Sequence, residues 1–111
     1  MKLHKNFSGR QESLAEQRLA EALLTVQSAE ECRAFLRDLC TPAELQAMAD
    51  RWAVVRALER GLPYREIHAH TGVSVTTIGR VARYLAQGNG GYALASKRLA
   101  HSGQANGATR G

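Results

Sequence analysis

Thr76, Gly79, Arg80, Arg83 and Gln87 recur at spacings of three and four residues. If the segment from Val75 is helical, they share one of its sides. That side is small near its start and basic further along. A guanidinium offers a planar fork of N–H donors that fits a phosphate or the edge of a guanine. Short side chains ahead of it let the helix approach closely. The chemistry on offer is therefore recognition of a polyanion, with small residues near base edges and arginines near phosphate.

The stretch that must position these residues is YREIHAHTGVSVTTIGRVARYL, from Tyr64 to Leu85. It reads as a short helix, a turn at Gly72 and a second helix opened by Ser74. Gly72 stands where the chain leaves the first helix, a position that calls for positive φ. Ser74 can accept a hydrogen bond from the first turn that follows it. Ile67, Val73, Ile78 and Val81 fall where a helix-turn-helix buries apolar side chains between its two helices. Ile78, Val81, Ala82 and Leu85 form one continuous inward stripe. A plain two-helix corner would show the same glycine and stripe, and only the basic outward face separates the two readings.

Other chemistries lack their residues. His68 and His70 are two apart and point away from one another on a helix, so they cannot share a metal as an i, i+4 pair does. Neither a phosphate-binding glycine loop nor a Ser, Thr or Cys nucleophile beside a base is present. Cys32 and Cys40 are eight apart, about 12 Å along a helix, which suits neither a disulfide within one helix nor a zinc site. They read as small apolar residues in a reducing compartment. No catalysis and no metal are expected.

The 111 residues suffice for one domain. Only 5% are aromatic, so the core must rest on Leu, Ala and Val. A core that small is marginal alone, and burial against a second copy would remedy it. The formal net charge of +5 is unevenly spread. Residues 1–50 carry six Lys/Arg against eight Asp/Glu, residues 51–86 six Arg against Glu59 and Glu66. Lys97, Arg98 and Arg110 follow with no acid. Positive charge thus gathers on and after the proposed reading element, as in nucleic-acid binders. With no long apolar run and no signal-peptide pattern, the expected location is cytoplasmic, with no membrane partner.

The rest of the chain reads as all-α. Residues 1–10 form a flexible arm, residues 11–100 the helical domain with its helix-turn-helix at 64–85, and residues 101–111 a disordered tail. Ser13 and Glu16 have capping-box spacing and begin a helix that ends near Gln27. Ser28 and Glu31 cap a second, with Cys32, Phe35, Leu36 and Leu39 inward. Thr41, Pro42 and Glu44 supply the N-cap, N1 and N3 of a third, running to about Arg60. Its core positions are Leu45, Met48, Ala49, Trp52, Val55 and Leu58. Gly61 ends it, and the run Gln87–Gly91 ends the helix-turn-helix. Tyr92, Leu94, Ala95 and Leu99 form one short final helix.

Three blocks of this chain, EECRAFLRDLCTPAELQAMADRWAVV, GLPYREIHAHTGVSVTTIGRVARYL and the GNGGY that follows, resemble the Trp repressor superfamily. The resemblance covers roughly residues 13–100 and is nearest to the YerC/YecD-type, Trp-repressor-related branch. It implies a Trp-repressor-like bundle of six helices, an intertwined homodimer and a two-fold DNA operator. It also implies a transcriptional regulator, most simply a repressor, of an amino-acid biosynthesis pathway. By resemblance, Arg65 approaches a base from the first helix of the motif, and Val75, Thr76 and Thr77 make base and methyl contacts. The expected DNA-facing set is therefore Arg65, Ser74, Val75, Thr76, Thr77, Gly79, Arg80 and Arg83.

The resemblance further implies an effector pocket around Thr41, Arg51, Arg80, Val81 and Tyr84. Arg51 and Arg80 match the two arginines that hold an indole ring in the founding member. Val81 and Tyr84 stand where that protein has glycine and serine. Both add bulk and argue against tryptophan as co-repressor. Two readings stay open here: a different small effector, or arginines that bind acids, carbonyls or phosphate. The alternative to a DNA regulator is a helical dimerisation or protein-interaction module that reads no sequence.

Overall fold

The computed structural model describes the backbone of residues 9–110 and the side chains of residues 9–102. It contains six helices and no strand among those residues: α1 (Gly9–Leu23), α2 (Ala29–Leu39), α3 (Pro42–Glu59), α4 (Tyr64–Thr71), α5 (Val75–Gln87) and α6 (Gly91–Arg110). The chain divides into two compact units, Met1–Leu45 and Gln46–Gly111.

The first unit is organised by its caps. Ser28 Oγ accepts from the Glu31 N–H at 3.1 Å, and the Glu31 carboxylate accepts from the Gln27 N–H at 2.8 Å. The box at the start of α3 is reciprocal: Thr41 Oγ1 accepts from the Glu44 N–H at 3.1 Å, and Glu44 Oε1 accepts from the Thr41 N–H at 2.8 Å. Each pair satisfies amide donors that the start of a helix leaves open. Apolar burial contributes little here. Neither α1 nor α2 has a buried residue, and Leu14, Leu19, Leu24 and Leu39 are 47%, 40%, 85% and 51% exposed. Leu39, expected inward, is thus open to solvent.

The boundaries of α1 differ from those expected. It begins at Gly9, so Ser13 lies inside it rather than at its cap. Arg10, Gln11 and Glu12 are good helix formers, and extending a helix costs far less than starting one. Gly9 and Arg10 therefore leave the expected arm, and residues 1–8 lie outside the described part. The helix stops at Leu23 because Thr25 turns its hydroxyl onto the Ala22 carbonyl at 2.7 Å, while its amide bonds the same oxygen at 3.1 Å. Those short bonds tighten the chain into a turn.

In the second unit lies the core: Val54, Val55, Ala57, Ile67, Val73, Ile78 and Val81, with Trp52, Leu58, Leu62, Leu85 and Tyr92 packed on it. The expected core of α3 is corrected at two places. Met48 and Ala49 are exposed, whereas Val54 and Ala57 are buried. Val54, Val55, Ala57 and Leu58 lie on one broad side of α3 with Ala53, Arg56 and Glu59 exposed opposite, so the buried face is turned from the expected stripe toward Val54 and Ala57. Its end is a Schellman turn, with the Leu62 N–H bonded to the Ala57 carbonyl and the Gly61 N–H to that of Leu58.

A polar clamp ties α6 to α3. Ser96, only 8% exposed, accepts from Arg56 Nη1 at 3.0 Å and donates to Glu59 Oε1. Above it the Trp52 and Tyr92 rings lie 6.3 Å apart, and the Arg56 guanidinium sits 5.9 Å from the Trp52 centroid. Helix α6 is longer than expected. Residues 101–110, read above as a disordered tail, continue it to Arg110. No proline interrupts that segment, and once the clamped start of α6 is formed each further residue adds only one backbone bond.

A candidate nucleic-acid interface

The chain reaches the site through Pro63, whose carbonyl accepts from the amides of Glu66 and Ile67 and so starts α4 without a side-chain cap. After the eight residues of α4, Gly72 closes the helix at φ 76°, ψ −2°, the left-handed region. Nothing lies within 4 Å of where its Cβ would stand. Glycine is needed there for backbone conformation rather than for space.

Three side chains then fix the turn. Thr71 Oγ1 donates to the Ile67 carbonyl at 2.6 Å and accepts from the Val73 N–H at 3.1 Å. His68 Nδ1–H donates to the Val73 carbonyl at 2.7 Å, since a carbonyl oxygen can only accept. Ser74 Oγ accepts from the Thr77 N–H at 3.2 Å and donates to Thr77 Oγ1 at 3.1 Å. The turn's backbone groups are thus held by its own side chains, and the angle at which α5 leaves α4 is fixed locally. Sequence reasoning found Ser74 but missed Thr71 and His68. A threonine just ahead of a helix-ending glycine was the available signal, and it was a weak one.

Packing sets which side of α5 faces out. Ile78 and Val81 are buried and Ala82 and Leu85 half-buried, as the stripe predicts. Thr76, Arg80, Arg83 and Gln87 are exposed, Gly79 is partly so, and Val75 is 53% exposed. Arg65 is exposed on α4. No acid occurs anywhere in α5, and Glu66 alone represents the type on α4. Ser74 and Thr77 are partly committed: their hydroxyls bond each other in the cap, leaving the Thr77 methyl and the Ser74 backbone as the freer contact groups.

Four of the five residues of the other expected site lie in the second unit. An open cleft of about 660 Å³ is lined by Arg51, Arg80, Val81, Tyr84, Asn89, Gly91 and Tyr92. It brings together Arg51, Arg80, Val81 and Tyr84 and adds Asn89 and Tyr92, which sequence reasoning had not placed there. Thr41 belongs to the first unit, and its hydroxyl is spent on capping α3. The Arg80 guanidinium lies 4.6 Å from the Tyr84 ring centroid and that of Arg83 5.5 Å from it, both within cation–π range. The cleft and the outward face of α5 therefore share Arg80. Gly88 shapes the exit from α5, because a Cβ there would collide with the Tyr84 carbonyl.

Among the described residues no three His, Cys, Asp or Glu gather into a metal site, and no helix is long and apolar enough to cross a membrane. Cys32 and Cys40 are half-buried and are not joined by a disulfide.

Known proteins share this arrangement. The chain is 42% identical over 81 residues to the uncharacterised YerC protein of Bacillus subtilis (strain 168), covering 73% of this chain and 78% of that one. Its fold matches the crystal structure of a TrpR-like protein from Eubacterium eligens ATCC 27750 with a TM-score of 0.74 at 34% identity, over 78% of this chain and 90% of that one. A candidate Trp repressor from Staphylococcus aureus matches with a TM-score of 0.73 at 34% identity, over 89% and 94% of the two chains. The model of the Trp repressor protein family matches residues 15–100, from within α1 into α6, and the chain belongs to that family of DNA-binding regulators.

Proposed function

We propose that the protein is a sequence-specific transcriptional regulator, acting as a homodimeric repressor in the cytoplasm on a two-fold DNA operator. One observation carries this reading: α5 is seated on the core by Ile78 and Val81 and capped by Ser74, and turns an acid-free face of Thr76, Arg80 and Arg83 to solvent. Such a helix suits the major groove, where Arg65 and the residues from Val75 to Thr77 would meet base edges and Arg83 the backbone. The exposed leucines of α1 and α2 support pairing with a second copy. A two-fold dimer calls for half-sites about 10 bp apart, or a multiple of that.

The test is selection of bound duplexes from a random-sequence library, followed by footprinting. An inverted repeat protected by the wild type is the expected result. Retention of no preferred sequence would favour an interaction module instead. The cleft at Arg51 and Arg80 supports a second element, a small anionic effector. Tyr84 on Arg80 opposes tryptophan in that role, because its ring already covers a guanidinium that an indole would need. Titration calorimetry with amino acids against the protein–DNA complex would identify such an effector or remove it from the account.

A further inference from the structure

Arg80 and Arg83 lie three residues apart, where like charges on a helix repel each other. With no acid on α5 to separate them, their common partner is the Tyr84 ring, 4.6 Å from one guanidinium and 5.5 Å from the other. An aromatic face is electron-rich and attracts both cations. The ring sits at the rim of the cleft, 38% exposed, so its removal would not empty the core. An arginine left free loses rotamer freedom when it binds, and one already laid on a ring loses less.

We infer that Tyr84 is a positioning residue of the DNA interface, holding Arg80 and Arg83 as a prearranged pair for the phosphate backbone. The inference rests on the DNA-binding reading. It assigns the ring a part in affinity rather than in sequence choice, since phosphate contacts carry no base information.

The experiment measures binding of the wild type, Tyr84→Phe and Tyr84→Leu to the duplex selected by the wild type and to random-sequence duplex, across a range of salt. Phe keeps the ring and should bind within about two-fold of the wild type. Leu keeps apolar bulk without the π face and should weaken both duplexes by about five-fold. The slope of log affinity on log salt should stay the same, because both arginines still reach phosphate. In Arg80→Ala, adding Tyr84→Leu should cost less than it does alone. Ring-current shifts of the Arg80 side-chain protons should be present in the wild type and Phe variant and absent in the Leu variant.

Wild-type strength in Tyr84→Leu, or a loss matched by a lower melting temperature in both substitutions, overturns this inference while leaving the DNA reading standing. A wild type that retains no preferred duplex overturns the DNA reading and the inference together.

Discussion

Residues 9–40 and residues 46–92 are both helical and both well capped, yet they are stabilised differently. In the first stretch no side chain is buried and four leucines are open to solvent. In the second, seven buried apolar residues form one cluster, and α4 and α5 are joined by a turn whose backbone groups are held by Thr71, His68 and Ser74. Capping sets where a helix starts and contributes about 1 kcal/mol per cap, too little to hold a short helix in water. The first stretch therefore specifies helices whose apolar faces need a covering surface. The second specifies a helix-turn-helix already seated on its own core.

The sharpest way to break that contrast is to truncate a side chain in each region. Ile78→Ala removes a fully buried side chain and should cost about 3 kcal/mol in urea denaturation. Leu24→Ala, at an 85% exposed position, should cost less than about 0.5 kcal/mol. Equal losses would erase the distinction. Next in size, Leu19→Glu tests the covering surface. If α1 packs against a second copy, a charge there should weaken self-association by about 2 kcal/mol in sedimentation equilibrium. Unchanged association would take α1 out of the dimer contact.

Gly72→Ala keeps every contact and changes only the backbone preference at φ 76°. It should cost about 1–2 kcal/mol and reduce DNA affinity by loosening the angle between α4 and α5. A neutral outcome would mean that the turn's side-chain bonds do not depend on the left-handed residue. The smallest effects belong to the caps. Ser74→Ala and Ser28→Ala should each cost about 1 kcal/mol by thermal melting. Similar values in the two regions would confirm that they differ in burial and not in capping.

What the sequence disclosed follows the same division. Local chemistry was legible wherever it acts within four residues: the Ser28–Glu31 and Thr41–Glu44 boxes, the glycine at 72 and the cap at 74 need no knowledge of the tertiary structure. The helix-turn-helix was legible because Ile67, Val73, Ile78 and Val81 bury each other over a short span of chain. The start of α1 was misplaced because Ser-x-x-Glu spacing can also occur inside a helix. Val54 and Ala57 were missed because the first half of α3, with Leu45, Met48 and Ala49, offers an apolar stripe on a different side from the one its second half buries. Asn89 lies beyond the end of α5 and Tyr92 beyond the turn at Gly90, φ 86°, so no helical periodicity encodes their place in the cleft. The length of α6 was missed because the residues from His101 onward are small and polar and offer no apolar period to extend a helix.

If Tyr64–Gln87 reads sequence, as proposed, Arg65→Ala and the wild type should differ on the selected duplex and hardly at all on random-sequence duplex at one salt concentration. Loss of a base contact should cost about 1–3 kcal/mol on the selected duplex and much less on random DNA, so the ratio of the two affinities collapses. An equal loss on both duplexes would show that Arg65 contributes charge alone and would contradict its role in base reading.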